Sequence, residues 1–314
     1  MALLYLLLLL MIIMWSFSFV LADIAIELSP PLAVALYQYV IASASFFILD
    51  IYNKFRSKKK GNINEVVESK KEDKFSKTDW ELIVISSFAT VSIFYLVQYT
   101  AIELIGPSLP ALFICLLSPI IISILALKLF DEKLNKIKIC GFSIAIIGAF
   151  LLVSGGNIGN LMPNSPNFLG YLLALLTPVL WTIYTIISKK ITKSKPDPKT
   201  NIKIIKYISY LGTVELLFLV LLYNQFTIFV NNFFNLQLFL IGIYNGLGCY
   251  VLGYWIWQNS QQKLSSSSAS SFLYVEPFFT LMFSFLFQRS EVIVLWNILG
   301  GIIVLFAVLL INHK

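Results

Sequence analysis

The chain predicts an all-α polytopic membrane protein of about ten transmembrane helices, arranged as two inverted five-helix repeats. Three observations carry this. First, hydrophobic residues make up 58% of the 314 residues and charged residues only 12%, whereas soluble domains carry roughly a quarter charged residues. That is too little charge to coat a water-facing surface. Second, the charges are gathered into short loops between long apolar runs. Third, the chain contains an internal duplication, a feature to be sought before any fold is assigned.

The apolar runs give the elements in order. A helix crosses a bilayer with about 20 apolar residues. Runs of this kind lie at 2–22, 29–50, 82–102, 107–128, 139–155, 168–188, 207–224, 236–257, 265–288 and 292–312. The first has no basic residue before Asp23. A signal peptide would carry a basic start and a shorter apolar core, so a retained span is expected. Two boundaries lie in uncharged sequence and rest on turn chemistry, the stretch through Asn157, Pro163 and Pro166 and the polar segment Asn224 to Asn235.

Charge asymmetry orients the spans. With the N-terminus in the cytoplasm, the inner loops 53–79, 129–138, 189–206 and 258–264 with their flanks and the C-terminal tail hold 22 of the 23 Lys and Arg residues, and only Arg289 falls outside. This sorting follows the positive-inside rule and places both termini in the cytoplasm. It also reads the net charge of +7 as a topology signal, so nucleic acid is not an expected partner. The 53–79 loop, with nine basic residues and five acids, reads as a solvated, partly disordered linker.

The duplication is visible in spacing. Glu132 follows Pro119 by 13 residues and Gly141 follows by another 9; Glu291 follows Pro277 by 14 and Gly300 by another 9. Ala111 and Ala269 each lie eight positions before the proline, and Trp15 and Trp181 open the two halves. The expected units are 1–156 and 157–314. Five spans per copy is an odd number, so the second copy enters the membrane upside down relative to the first. Inverted repeats characterise secondary transporters, whose solute site lies near the midplane between the copies.

These residues also carry a resemblance. The first copy, with Trp15-Ser-Phe-Ser-Phe19, Tyr99-Thr-Ala, Leu116-Leu-Ser-Pro119, Leu129-Phe-Asp-Glu132, Gly141 and Gly148, resembles the EamA-type repeat. The second, with Gly170-Tyr, Trp181, Val275-Glu276-Pro277, Glu291 and Gly300-Gly301, resembles another. Together they resemble ten-helix members of the drug/metabolite transporter superfamily. The resemblance implies a plasma-membrane transporter of small organic solutes such as amino acids, other metabolites or drugs. Many relatives carry an arginine in the second helix where this chain has Gln38.

Candidate site residues are weighed on burial. Glu276 and Glu215 lie near the centres of spans nine and seven, and intramembrane carboxylates are costly and tend to serve function; the structural alternative is a neutral, hydrogen-bonded acid. Pro119, Pro178 and Pro277 each remove a helical hydrogen bond, which frees carbonyls that can line a cavity or mark a kink needed for packing. Aromatic and amide residues Trp15, Phe19, Gln38, Tyr95, Gln98, Tyr99, Trp181, Tyr184, Tyr254, Trp257 and Gln258 are pathway candidates against a background of packing and interface anchoring. The pathway set drawn from these is Trp15, Phe19, Gln38, Tyr99, Pro119, Trp181, Glu215, Tyr254, Glu276 and Pro277. The Ser265–Ser271 run suits close helix packing, and Glu132 and Glu291 are placed at the membrane surface.

Catalysis is not expected. The single histidine is the penultimate residue, His313. Cys115, Cys140 and Cys249 are isolated in apolar segments and form neither a disulfide framework nor a metal pattern. No phosphate loop is present and no cofactor is expected. The function expected is export of an amino-acid-like, neutral or zwitterionic solute by alternating access. Proton-coupled extrusion of cationic drugs is the second reading, and a non-transporting scaffold or lipid scramblase the third. Partners expected are the solute, the bilayer, a coupling proton and a second copy in a homodimer.

Overall fold

A computed structural model describes residues 2–60, 75–131, 135–154, 168–195, 197–289 and 295–312. Among these the secondary structure is helical, in ten long rods: α1 (Ala2–Leu28), α2 (Pro31–Lys60), α3 (Lys77–Ile105), α4 (Ser108–Leu129), α5 (Lys136–Ser154), α6 (Phe168–Ser194), α7 (Pro198–Leu222), α8 (Leu236–Lys263), α9 (Ser266–Leu286) and α10 (Leu295–Asn312), with one short helix, Phe226–Asn231, between α7 and α8. Eight of them are long and apolar enough to span a bilayer, and α10 adds a shorter apolar helix.

Several rods outrun their apolar stretches. The helix α2 continues to Lys60 and α3 begins at Lys77, so the expected 53–79 loop loses both of its ends to helix. Hydropathy ends a run at the first charges, but a backbone hydrogen-bond ladder continues through lysine, a good helix former. The middle of that loop, Glu132, Glu291, the 155–167 turn and His313 lie outside the described residues.

Local chemistry sets the ends. Ser76 caps α3 in a reciprocal box with Asp79. Asp197 caps α7 ahead of Pro198 at its first position, and the Asn235 side chain accepts from the Gln237 and Leu238 N–H groups to start α8. Gly106, at φ 76°, turns the chain between α3 and α4, a conformation that costs glycine least.

Two of the rods depart from regular α-helix at matching places. The third helix of each half contains a π-helical stretch, Phe88–Ile93 in α3 and Tyr244–Gly253 in α8. Such stretches are rare and concentrate at functional sites. In α9, residues Ser271–Val275 tighten into a 3-10 turn just before Glu276 and Pro277.

The packing treats the two halves alike. The first helix of each half packs on the third and fourth of the other: α1 lies on α8 and α9, and α6 on α3 and α4. The second helices α2 and α7 face one another, as do the fifth helices α5 and α10. At α5–α10 a Cβ on Gly148 would lie 2.7 Å from Ile303, so small residues let these backbones approach closely. The serine run opens α9 against α4, with Ser266, Ser267, Ser270 and Ser271 buried.

Charged residues collect at the two ends of the bundle. At one end Lys195 pairs with Asp79 at 2.9 Å, Lys206 with Asp50 at 3.1 Å, and Lys138 donates to Ser265 and Ser267 at 3.2 Å. At the other end Arg289 bridges Asp23 and Glu27, both at 2.5 Å, Asn232 donates to the Leu28 carbonyl, and the Tyr37 hydroxyl donates to the Phe233 carbonyl. Between the ends the outer surface is apolar, with Leu309, Val214, Phe218 and Leu222 well exposed. A continuous apolar exterior is a liability in water and is matched by lipid.

Candidate functional site

A cavity lies at the seam between the halves. Its walls come from α1, α2, α3 and α4 of the first half and α6, α8 and α9 of the second. Among the sequence-predicted pathway residues, Trp15, Phe19, Gln38 and Tyr99 line it from the first half, and Trp181, Tyr254 and Glu276 from the second. Tyr95 and Gln98 also line it.

Aromatic rings form one wall. Trp15 and Trp181 meet edge to face with centroids 5.1 Å apart, and Tyr254 lies 5.9 Å from the first and 5.3 Å from the second. Trp257 and Tyr184 back the cluster, at 5.6 and 5.4 Å from Trp181. The Trp257 indole N–H donates to Thr185 Oγ1 at 3.2 Å, and Gln258 Nε2 donates to the Tyr184 hydroxyl at 2.7 Å. Edge-to-face pairs of this kind contribute about 0.5–1.5 kcal/mol each beyond the area they bury, so the wall is a stiff surface.

The π stretch of α8 adds to the lining by close approach. A Cβ on Gly246 would lie 2.5 Å from the Gln38 carbonyl oxygen. Glycine there lets the α8 backbone press on α2, with Asn245 and Gln38 both facing the cavity. A Cβ on Gly253 would lie 2.5 Å from Trp15 Nε1. Its absence lets the Trp15 indole reach the Cys249 carbonyl at 2.9 Å. The Tyr99 hydroxyl donates to Gln38 Oε1 at 2.8 Å and fixes that amide.

Glu276 is the one carboxylate in the lining and is 2% exposed. Its side chain accepts from the Cys115 thiol at 3.6 Å, a weak donor. Among the described residues no Lys or Arg pairs with it. Its backbone carbonyl accepts from Ser16 and from Thr280, both at 3.0 Å, which ties α1 to the turn of α9 ahead of Pro277. The lining is therefore mostly apolar and aromatic, with three amides, Gln38, Gln98 and Asn245, and one acid converging on it. That composition is typical of small-molecule sites.

Three of the expected pathway residues lie elsewhere. Pro119 sits inside α4 and Pro277 at the start of the last segment of α9, and neither is in the lining; Ile114 of α4 and Glu276, the residue before Pro277, are. Glu215 is also outside it. Its carboxylate accepts from Ser92 at 2.6 Å and Ser87 at 3.2 Å, across the π stretch of α3, on a part of α7 whose Val214 and Phe218 point outward. Glu215 thus ties two helices together on the flank of the bundle. Asn245 was missed by the sequence reading. The signal that could have found it is the glycine-interrupted run around it, since interrupted spans mark transporter binding sites.

Comparison with known proteins agrees with this architecture. An uncharacterized transporter of Archaeoglobus fulgidus is 23% identical over 311 residues, covering 99% of this chain and 97% of its own length. The uncharacterized transporter YyaM of Bacillus subtilis is 23% identical over 198 residues, 62% of this chain and 60% of that protein. A solved crystal structure superposes with a TM-score of 0.67 at 13% identity, over 99% of this chain and 97% of the other, which speaks to fold alone. The model of the EamA-like transporter family matches twice, over residues 2–154 and 168–313. Two matches that together span almost the whole length leave no other assignment: the chain belongs to the EamA-like transporter family.

Proposed function

We propose that this membrane transporter moves a small neutral or zwitterionic organic solute, amino-acid-like in its polarity and exported from the cell, by alternating access of two inverted five-helix repeats, 1–156 and 157–314. The observation that carries this reading is the seam cavity, whose walls are drawn from both halves. A site shared between two similarly packed halves is exposed to either side in turn when one half rocks against the other. The lining holds no Lys or Arg, so a strongly anionic solute would find no charge clamp.

The test is solute counterflow in proteoliposomes of the purified full chain, with amino acids, nucleosides and cationic dyes offered in turn. Saturable exchange of a zwitterionic amino acid supports the reading; exchange confined to dyes replaces it with the second. That second reading, proton-coupled extrusion of a cation, is favoured by Glu276, the one carboxylate in the lining, which pairs with no Lys or Arg among the described residues. Replacing Glu276 by Gln abolishes uptake driven by a pH gradient if that proton matters and leaves it unchanged if not. A scaffold without transport predicts that cysteines placed at positions 15 and 181 resist polar thiol reagents in every condition.

A further inference from the structure

The two repeat-related tryptophans differ in chemical state. Both are buried, Trp15 at 8% and Trp181 at 4% exposure, and they touch edge to face. The Trp15 indole N–H is satisfied by the Cys249 carbonyl. Trp181 Nε1 has no acceptor among the described residues, and the ring lines the cavity. A buried donor left without a partner is rare in native proteins and calls for a cause.

Two further cavity atoms share this condition. Gln38 Nε2, a donor, and Asn245 Oδ1, an acceptor, are buried without partners among the described residues, in residues 2% and 4% exposed. Gln38 is held in its orientation by the Tyr99 hydroxyl on Oε1. Glu276 adds an acceptor that has only a thiol donor. The same cavity therefore offers two unused donors, Trp181 Nε1 and Gln38 Nε2, and two acceptors in want of donors, Asn245 Oδ1 and Glu276. Each of these is matched by a group on a bipolar solute.

We propose that Trp181 and Gln38 take the acceptor oxygens of the solute, a carboxylate or carbonyl, while Glu276 and Asn245 take its donor group, and that Trp15 is a positioning residue that holds the π stretch of α8 in place. This rests on the reading of the cavity as the solute site and narrows it. The pair thus divides its labour: one indole serves the fold and its counterpart serves recognition.

The experiment uses the full chain in liposomes and three probes sharing one flat apolar body. These are L-phenylalanine, 2-phenylethylamine, which lacks the carboxylate, and 3-phenylpropionate, which lacks the ammonium. Saturable quenching of tryptophan fluorescence and counterflow are measured for wild type, Trp181→Phe and Trp15→Phe. Because Phe is smaller, a second variant places benzothienylalanine at position 181, which keeps the ring shape and removes only the N–H. Both position-181 variants should weaken L-phenylalanine and 3-phenylpropionate about tenfold, the scale of one hydrogen bond to a charged acceptor, and leave 2-phenylethylamine unchanged. Glu276→Gln should show the converse pattern, weakening the two amines. Trp15→Phe should lower the melting temperature without changing the ratio between probes. Equal losses for all three probes at position 181, or no loss, overturns the inference while the cavity reading stands. Failure of wild type to saturate with any probe overturns both.

Discussion

At the scale of single residues, glycine and acid placement decide the site. A Cβ at Gly253 would meet Trp15 Nε1 at 2.5 Å, whereas a Cβ at Gly248 would meet only the Met14 methyl at 3.3 Å. Gly253→Ala must displace Trp15 from the Cys249 carbonyl, and overpacking of this kind costs about 1–3 kcal/mol, more than the gain in helix propensity. Gly248→Ala should be neutral or slightly stabilising. Thermal unfolding of both variants in one detergent checks the pair, and a loss in both or in neither refutes the close approach. The two intramembrane acids separate in the same manner. Glu215 spends its carboxylate on Ser87 and Ser92, so Glu215→Gln should leave the affinity for solute intact, whereas Glu276→Gln should change it; matching effects would contradict the placement of Glu215 on the flank. Sequence could nominate both acids from depth alone. It could not say which one faced inward, because the residues after Glu215 in α7, 216–222, are an unbroken apolar run whose pattern carries no direction.

At the scale of elements, long apolar runs were legible and their interruptions were not. Composition delivers all ten rods, since a bilayer rewards any run of about 20 apolar residues. The π stretches escape it: a π turn differs from an α turn by one accommodated residue, and Phe88–Ile93 has no breaker to announce it. In α8 the glycines at 246 and 253 are a signal that went unused. Trp15 and Trp181 were legible because the duplication set them at matched points, and Asn245 was not, having no counterpart to flag it. Caps offer a test at this scale. Ser265 accepts from the Ser268 N–H at 3.3 Å and from Lys138 at 3.2 Å as α9 begins. Ser265→Ala should cost about 1 kcal/mol of stability. Ser265→Asp should restore the cap and add a charge partner for Lys138, so its melting temperature should equal or exceed that of wild type; a fall as large as that of alanine would show that the cap contributes little.

At the scale of the whole molecule, the two halves share one packing plan, and the ends of the bundle differ in charge. Lysines gather where Asp50, Asp79 and the start of α9 meet, and Arg289 closes on Asp23 and Glu27 at the far end. The exposed ion pairs among these add little stability each, about 0–1 kcal/mol, so their value lies in marking sides. If the halves are inverted, the C-terminal ends of the equivalent helices α1 and α6 must open on opposite faces of the membrane. Glu27 and Ser194 lie at those ends and are exposed. In a background with Cys115, Cys140 and Cys249 replaced, Glu27→Cys should react with a membrane-impermeant maleimide added outside intact cells, and Ser194→Cys only after the membrane is opened. Labelling of both from the same side would mean that the two copies are threaded in the same direction, and the rocking of one half against the other would lose its geometric basis.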